Sequence, residues 1–186
     1  LSPFFKACNR GFAQGCLSLA NVYEGEGDYD QATKFYDEAC TRGSEALFGW
    51  LGTRADRRHG LWGDPDDTWG WLMPVNGFYR ASRGTYAQFG VPLSNPEAIV
   101  DTVVAHCRDY GWFAARERNA CNVLDVVHPL WLCAQQSDYR VPELRDRVAA
   151  MLDAALEDWV DGAGFAFATA HRDPGLQGTE MWPVSY

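Results

Sequence analysis

A pattern of four residues recurs after 32 positions near the start of the chain, and it constrains the fold more than any other feature. Ala7-Cys8-x-Arg10-Gly11 is repeated as Ala39-Cys40-x-Arg42-Gly43. Periods of about 20–50 residues are typical of stacked helical hairpins, each of which is too small to bury its own apolar face. The pattern therefore predicts a helical-repeat unit in the first quarter of the chain.

The residues between the two copies fit a helical hairpin. Residues at the helical spacing i, i+3, i+4 and i+7 form two stripes, first Cys16, Leu19, Ala20 and Tyr23, then Ala32, Phe35, Tyr36 and Ala39. The segment 25–28 between the stripes holds two glycines and predicts a turn. Gly43 is expected to close the second helix, because glycine favours helix ends.

These residues resemble a Sel1-like repeat, a relative of the tetratricopeptide repeat. The resemblance rests on Tyr23-Glu24-Gly25-Glu26-Gly27 followed by Ala32, Phe35-Tyr36 and Ala39-Cys40, and it covers about residues 3–44. Residues 44–48 resemble the opening of a second unit. The resemblance implies a concave surface that binds a protein or a peptide.

The cysteines of this segment also follow the resemblance. Cysteine-rich Sel1-like proteins carry paired cysteines that bridge the two helices at a hairpin junction, and the spacing of Cys8 and Cys16 is similar. The resemblance implies a disulfide between them in an oxidising compartment, with two reduced core cysteines as the alternative. Cys40 is expected to be unpaired within the chain, because Phe48 replaces its expected partner.

The pattern changes after Gly52, where a short charged segment, 54–60, is expected to be a solvated connector. Two domains are expected. Residues 1–53 form the Sel1-like unit and the start of a second one. Residues 54–186 form a domain of helical hairpins that is truncated at its C-terminal end.

Three helical stretches are predicted in this second domain, beginning near Pro96, near Asn119 and at Pro142. The third is expected to include Trp159 and to end at Gly162. The motif Asp161-Gly162-x-Gly164-Phe165-x-Phe167 then predicts a turn and a short extended segment. This motif and the helix rhythm resemble α/α-toroid proteins, which include sugar hydrolases, lyases and epimerases. The fold class expected for the whole chain is all-α.

Tryptophans beside carboxylates are a second signal in this domain. Such pairs are typical of saccharide sites, because a flat ring packs on a sugar face while carboxylates bind hydroxyls or move protons. The candidate substrate-binding rings are Trp62, Trp69, Trp71 and Trp182, and the candidate catalytic carboxylates beside them are Asp66, Asp67 and Glu180. Asp66 or Asp67 is expected to cap a helix that contains Trp69 and Trp71. The alternative is that the rings fill a compact core.

Asp125 and His128 are the remaining catalytic candidates. Together with Cys121 they share one face of an apolar helix, at i, i+4 and i+7. Three hypotheses stay open: Asp125 orients His128 as a general base, the three residues hold a metal, or both polar groups are satisfied within the core. The other histidines, His59, His106 and His171, are expected to be exposed.

Composition excludes several functional classes. The net charge of −9 argues against nucleic acid as a partner. No apolar run approaches the roughly 18 residues of a membrane span, and the first residues do not resemble a signal peptide, so no membrane partner is expected and localisation stays open. No nucleotide-binding or zinc-protease motif occurs, and we expect neither a cofactor nor a metal.

Two functions follow as hypotheses. The first is a helical-repeat module that binds a protein or a peptide, fused to a domain of helical hairpins. The alternative is a carbohydrate-active enzyme with carboxylate and histidine acid–base chemistry in a Trp-lined cleft. A third possibility is that the two segments are unrelated pieces without a shared function.

Overall fold

The computed structural model describes residues 3–109, 113, 118–168 and 171–174, and over these residues the chain is all-α. The helices are α1 (Pro3–Asn9), α2 (Ala13–Gly25), α3 (Tyr29–Arg54), α4 (Leu72–Ser82), α5 (Pro96–Asp109), α6 (Ala120–Ala134) and α7 (Val141–Leu156). A π-helical turn, Arg83–Ala87, continues α4. Three short strands, β1 (Trp159–Val160), β2 (Gly164–Ala168) and β3 (His171–Pro174), form a small antiparallel sheet in that order. The chain divides into two compact units, Leu1–Arg54 and Ala55–Tyr186.

In the first unit, α2 and α3 form a hairpin held by side chains on their facing stripes. The rings of Tyr23 and Phe35 stack with centroids 5.5 Å apart. The hydroxyl of Tyr36 lies 2.7 Å from Asn21 Oδ1 and 2.6 Å from Glu24 Oε2. The turn between the helices contains Gly27, whose φ of +78° favours glycine. The predicted stripes therefore form the helix–helix contact.

The helix α1 is attached to α2 by a disulfide between Cys8 and Cys16, which confirms this pairing. Both cysteines are buried, whereas Cys40 is free and exposed. Gly15 allows the close approach of the two helices, because a Cβ added there would lie 2.6 Å from Ala7 Cβ and 2.7 Å from the Cys8 nitrogen. Covalent and steric constraints thus act at the same junction.

The prediction that Gly43 closes the second helix is wrong, because α3 runs through Gly43 to Arg54. Residues 44–48, predicted to open a second unit, lie within the same helix. Gly43 does not adopt a positive φ, so it does not form a left-handed cap. A single glycine costs a helix about 1 kcal/mol relative to alanine, and the helix formers Glu45, Ala46 and Leu47 follow it closely.

The second unit is arranged around α6, of which 11 of 15 residues are buried. The helices α4 and α5 pack against α6, and α7 contacts it more sparsely. Asn119 caps the start of α6 by accepting a hydrogen bond from the Asn122 nitrogen at 2.9 Å. No helix among the described residues is both long and apolar enough to span a membrane.

Charged groups fix α7 at both ends. Near its start, Arg140 pairs with Asp101 of α5 and with Glu143, and Arg108 of α5 donates to Glu143 at 2.6 Å. Near its end, the buried Arg118 donates to the Ala154 carbonyl at 2.6 Å and lies 3.3 Å from the carboxylate of Asp158. These contacts orient α7 relative to α5 and to the start of α6.

Three local predictions for the second unit are wrong. Trp69 and Trp71 lie in the turn before α4 rather than inside a helix, because the Asp66 side chain stabilises a turn closed by Gly70. Trp159 belongs to β1, since α7 ends at Leu156 and a tight turn with left-handed glycines follows. His59 and His106 are buried, with exposed fractions of 9% and 2%. His171 is a residue of β3 whose side chain lies outside the described part.

We predict that Gly15→Ala destabilises the first unit, whereas Gly25→Ala does not. The added Cβ at position 15 overlaps α1, and overpacking of this kind costs about 1–3 kcal/mol. A Cβ at position 25 meets nothing within 4 Å. Hydrogen exchange of residues 3–25, followed by mass spectrometry, should show faster exchange in the first variant only. Equal protection in both variants would contradict the packing at this junction.

We also predict that Cys8→Ser destabilises the attachment of α1. In the loop-entropy account, a bridge over a separation of eight residues contributes about 2–3 kcal/mol. Cys40→Ser is the matched control, because that thiol is free and exposed. The amides of α1 should lose protection in Cys8→Ser and in the native protein after reduction, but not in Cys40→Ser. Protection that survives reduction would show that packing alone holds α1.

Candidate functional site

A polar cluster lies between α4 and α6, where a mostly apolar interface surrounds one carboxyl group. Asp125 of α6 is only 2% exposed. When the Asn76 amide is oriented to satisfy its surroundings, its nitrogen donates to Asp125 Oδ2 at 2.9 Å and to the Leu72 carbonyl at 3.1 Å. The partner of this buried carboxyl is therefore an amide from the neighbouring helix.

The environment changes the ionisation of both predicted catalytic groups. Burial raises the pKa of Asp125 to about 7, and the nearby Arg80 guanidinium opposes this rise. Burial and the positive charge of Arg83 lower the pKa of His128. Near pH 7, Asp125 is therefore partly protonated and His128 is neutral.

His128 connects this cluster to the surface. Its ring meets the edge of Tyr79 at 5.4 Å and lies 5.9 Å from the Trp131 ring. The Tyr79 hydroxyl accepts a hydrogen bond from Arg83 at 2.8 Å. His128 Nδ1 is buried without a hydrogen-bond partner among the described residues, so Asp125 does not orient this ring through a hydrogen bond to that atom.

A groove of about 870 Å³ opens between α6 and α7. Its walls are mainly apolar and are formed by Val127, Leu130, Trp131, Leu144, Val148 and Leu152, with His128 on the α6 side. Trp131 is 55% exposed and Leu152 is 37% exposed, so the walls are open to solvent. A volume of this size lies within the range of about 300–1,000 Å³ that is usual for ligand pockets.

The two walls follow the helical period. On α6 the lining residues include Val127, Leu130, Trp131 and Ala134, and on α7 they include Val141, Leu144, Val148 and Leu152. Both sets repeat at three- and four-residue intervals, which places each on one face of its helix. Below the groove, Val127 joins a core with Ala120, Val123 and Ala155. The groove is thus the open continuation of the α6–α7 packing.

Two groups of opposite charge line the groove. Arg145 is on α7, and Asp138 is in the connection between α6 and α7. Both side chains are exposed, and neither has an ion pair or a side-chain hydrogen bond within the described ranges. The groove therefore combines an apolar floor with two solvent-exposed charges that have no partner in the described protein.

The other predicted site residues that the structure describes do not line the groove. Asp66 and Asp67 are exposed, and Asp66 Oδ1 accepts hydrogen bonds from the Thr68 and Trp69 nitrogens at 2.8 and 2.7 Å. The Trp62 ring stacks on Phe78 with centroids 4.8 Å apart. Trp69 is 44% exposed, and the Trp71 ring contacts His59 at 5.0 Å. Glu180 and Trp182 lie outside the described residues.

One set of residues among those described has a spacing compatible with a metal ion: Asp56, His59 and Asp64, whose ligand atoms lie within 4.8 Å of one another. The hydrogen bonds argue against that use. His59 Nδ1 accepts from the Leu61 nitrogen at 3.2 Å, so the proton of the neutral ring is on Nε2, the atom that faces Asp64 at 3.3 Å. Arg58 donates to both carboxylate oxygens of Asp56 and holds its pKa well below the usual range.

The alternative metal set, Cys121, Asp125 and His128, is not among the described groups with metal-compatible spacing. Burial raises the pKa of the Cys121 thiol, which disfavours the thiolate that a metal requires. The core hypothesis for Asp125 is consistent with its bond to Asn76, whereas the general-base hypothesis for His128 stays a prediction.

Sequence reasoning missed three residues of this region. Trp131 belongs to a helix that the sequence predicts to be central, and Asn76 belongs to a segment notable for its aromatic content. Arg145 is one of several charged residues of an amphipathic helix. The one available signal was Trp131, a large ring beside His128 on the helical face. Its exposure depends on where α7 lies, which periodicity does not specify.

Comparisons with family models, with curated proteins and with solved structures found no match to this chain. The resemblances to Sel1-like repeats and to α/α-toroid proteins therefore stay predictions based on the residues quoted above.

We predict that Asp125→Asn changes how stability depends on pH. In the folded protein Asp125 keeps its proton to about pH 7, whereas the ordinary pKa is 3.8. Unfolding between these values releases a proton, so the free energy of unfolding of the native protein falls as the pH rises. The variant cannot ionise and should gain about 1–3 kcal/mol relative to the native protein between pH 5 and pH 8.

Urea unfolding at several pH values tests this prediction. Asp153→Asn removes an exposed carboxylate on α7 and should leave the pH dependence as it is in the native protein. Parallel curves for the native protein and Asp125→Asn would show that Asp125 ionises normally in the folded state.

Proposed function

We propose that this protein binds a peptide or a helical segment of another protein, and that the groove between α6 and α7 is its binding site. The observation that carries the proposal is an open, apolar groove with a half-exposed tryptophan in its wall. Tryptophan is enriched among the residues that dominate binding energy at protein interfaces, because a large ring loses much water contact when a partner covers it.

The shape of the groove favours a helical ligand. Helices of 15 and 16 residues, α6 and α7, are about 22–24 Å long, which corresponds to about four turns of a bound helix. Apolar side chains repeat along both walls at helical intervals, so a third helix can place its own apolar stripe between them. Such a ligand would complete the packing that α7 leaves open on α6.

The first unit supports the same class of function through the Sel1-like resemblance. Its hairpin exposes several large apolar side chains, including Tyr29, Leu47 and Trp50. In helical-repeat proteins, surfaces of this kind contact a neighbouring repeat or a partner. The proposed protein is therefore an interaction module with a repeat-like unit and a grooved helical unit.

The alternative, a carbohydrate-active enzyme, is supported by the neutral His128 beside Trp131 in the same groove. A glycoside hydrolase mechanism needs two carboxyl groups that flank the sugar bond. Asp125 is buried against Asn76, and Asp66 accepts backbone hydrogen bonds within its own turn. Asp138 is the one described carboxylate in the groove lining, whereas the mechanism needs two, so the interaction module is favoured and oligosaccharide binding is an outcome to test.

We predict that Trp131→Ala abolishes most peptide binding. Helical peptides with an apolar stripe are selected from a displayed library on the native protein, and their Kd values are measured on purified variants. Removal of a central ring should weaken binding by at least about 30-fold, as for other interface hot spots. Met73→Ala is the control, because Met73 of α4 is 57% exposed and does not line the groove.

Two results would contradict the proposal. One is a selection that yields no peptide above background, and the other is binding that is equally strong in Trp131→Ala and in the native protein. Thermal stabilisation by oligosaccharides, lost in Trp131→Ala, would instead support the enzyme.

A further inference from the structure

We infer that the groove selects an amphipathic helix with one acidic residue opposite Arg145, within a ligand that is otherwise neutral or basic. This inference rests on the proposed function and specifies the chemistry of its ligand. It is carried by the exposed and unpaired Arg145 in an apolar groove, by Asp138 at the α6–α7 connection, and by the charge of the whole chain.

One face at the start of α7 carries charged residues that pair within the protein. Arg140, Glu143 and Arg147 follow one another at i, i+3 and i+7, and they form ion pairs among themselves and with Asp101 and Arg108 of α5. The charged groups on this face therefore have partners within the protein.

Arg145 belongs to the other face. It is two residues from Arg147, which on a helix is a rotation of about 200°, and it lines the groove together with Leu144 and Val148. No described residue pairs with its guanidinium, although acidic residues are more numerous than basic ones in the chain. This groove-facing arginine of α7 is therefore available to a ligand.

An acidic side chain is the group that this position recognises. A guanidinium binds a carboxylate through two parallel hydrogen bonds, and the interaction is stronger when a ligand excludes water from the surrounding apolar walls. Arg145 thus sets the register of a helix in the groove, while the apolar stripe supplies most of the binding energy. A ligand without an acid at this point would cover the guanidinium and leave it unpaired, which is unfavourable.

Negative charge on the protein restricts which charged residues the rest of the ligand can carry. Asp138 lines the groove at the α6–α7 connection, seven positions before Arg145. The chain as a whole carries a net charge of −9, which repels a generally acidic ligand. A basic residue near Asp138 and a single acid near Arg145 satisfy both conditions and give the bound helix one preferred direction.

The test exchanges the charge at position 145. A displayed library of amphipathic helical peptides, with a fixed apolar stripe and randomised polar positions, is selected separately on the native protein, on Arg145→Glu and on Arg57→Glu. Arg57 is exposed and does not line the groove, so Arg57→Glu makes the same change in net charge elsewhere in the unit. Circular dichroism verifies that each variant is folded, and Arg145→Gln provides a neutral second variant.

The expected result is an exchange of preference at one peptide position. Peptides from the native protein and from Arg57→Glu should carry Asp or Glu there, and peptides from Arg145→Glu should carry Lys or Arg. Each peptide should bind its own target about ten-fold or more tightly than the charge-reversed one, as measured by fluorescence anisotropy. Arg145→Gln should weaken the acidic peptides without favouring the basic ones.

The outcomes separate this inference from the proposed function. Two outcomes would overturn the role of Arg145 and leave the binding groove in place. In the first, the selected peptides need Trp131 but show no preference for an acidic residue. In the second, peptides selected on Arg145→Glu show the same acidic preference as those selected on the native protein. No selected peptide at all would overturn the proposed function. Binding of palmitate that is lost in Arg145→Glu, without any selected peptide, would assign the groove to a long-chain carboxylate and overturn both.

Discussion

The burial of α6 is the constraint on which the second unit depends. A helix with so few polar residues must be covered over most of its surface, since each exposed apolar Å² costs about 25 cal/mol. The helices α4 and α5 cover it closely, and each contributes one apolar face. Coverage by α7 is less complete, and the groove lies between α6 and α7. The candidate site is thus a consequence of how the core is completed.

Two polar residues of α6 show how one helix serves both the core and a surface. Asp125 faces α4, where a neutral carboxyl can bond to the Asn76 amide without the cost of burying a charge. His128, less than one turn further on, reaches the groove beside Trp131. The same pattern of residues would suit a catalytic dyad, but His128 Nδ1 has no hydrogen-bond partner among the described residues, and Asn76 donates to Oδ2 of Asp125.

Local patterns predicted the elements whose formation depends on local spacing. The stripe of Ile99, Val103 and Cys107 forms α5, and the residues from Asn119 onward form α6, because an apolar face of this width suffices to define a buried helix. The pattern failed at Gly43, where the neighbouring helix formers outweigh one glycine, and at Trp159, where a turn with left-handed glycines begins a β-hairpin. It also failed for His59, whose burial is set by Trp71 and Leu61 rather than by its charged neighbours.

The all-α class and the hairpin of the first unit follow from the order of residues, because helix periodicity acts locally. The partners of the disulfide were implied by the Sel1-like resemblance and are confirmed in the structure. The roles of individual charged residues do not follow from the order of residues. Arg145 and Arg147 are two positions apart in one helix and are chemically identical. Arg147 pairs with Glu143 one turn earlier in the same helix, which the sequence spacing allows. Only the packing of α7 against α6 decides that Arg145 faces an open groove, since a side chain's role depends on which element lies opposite it.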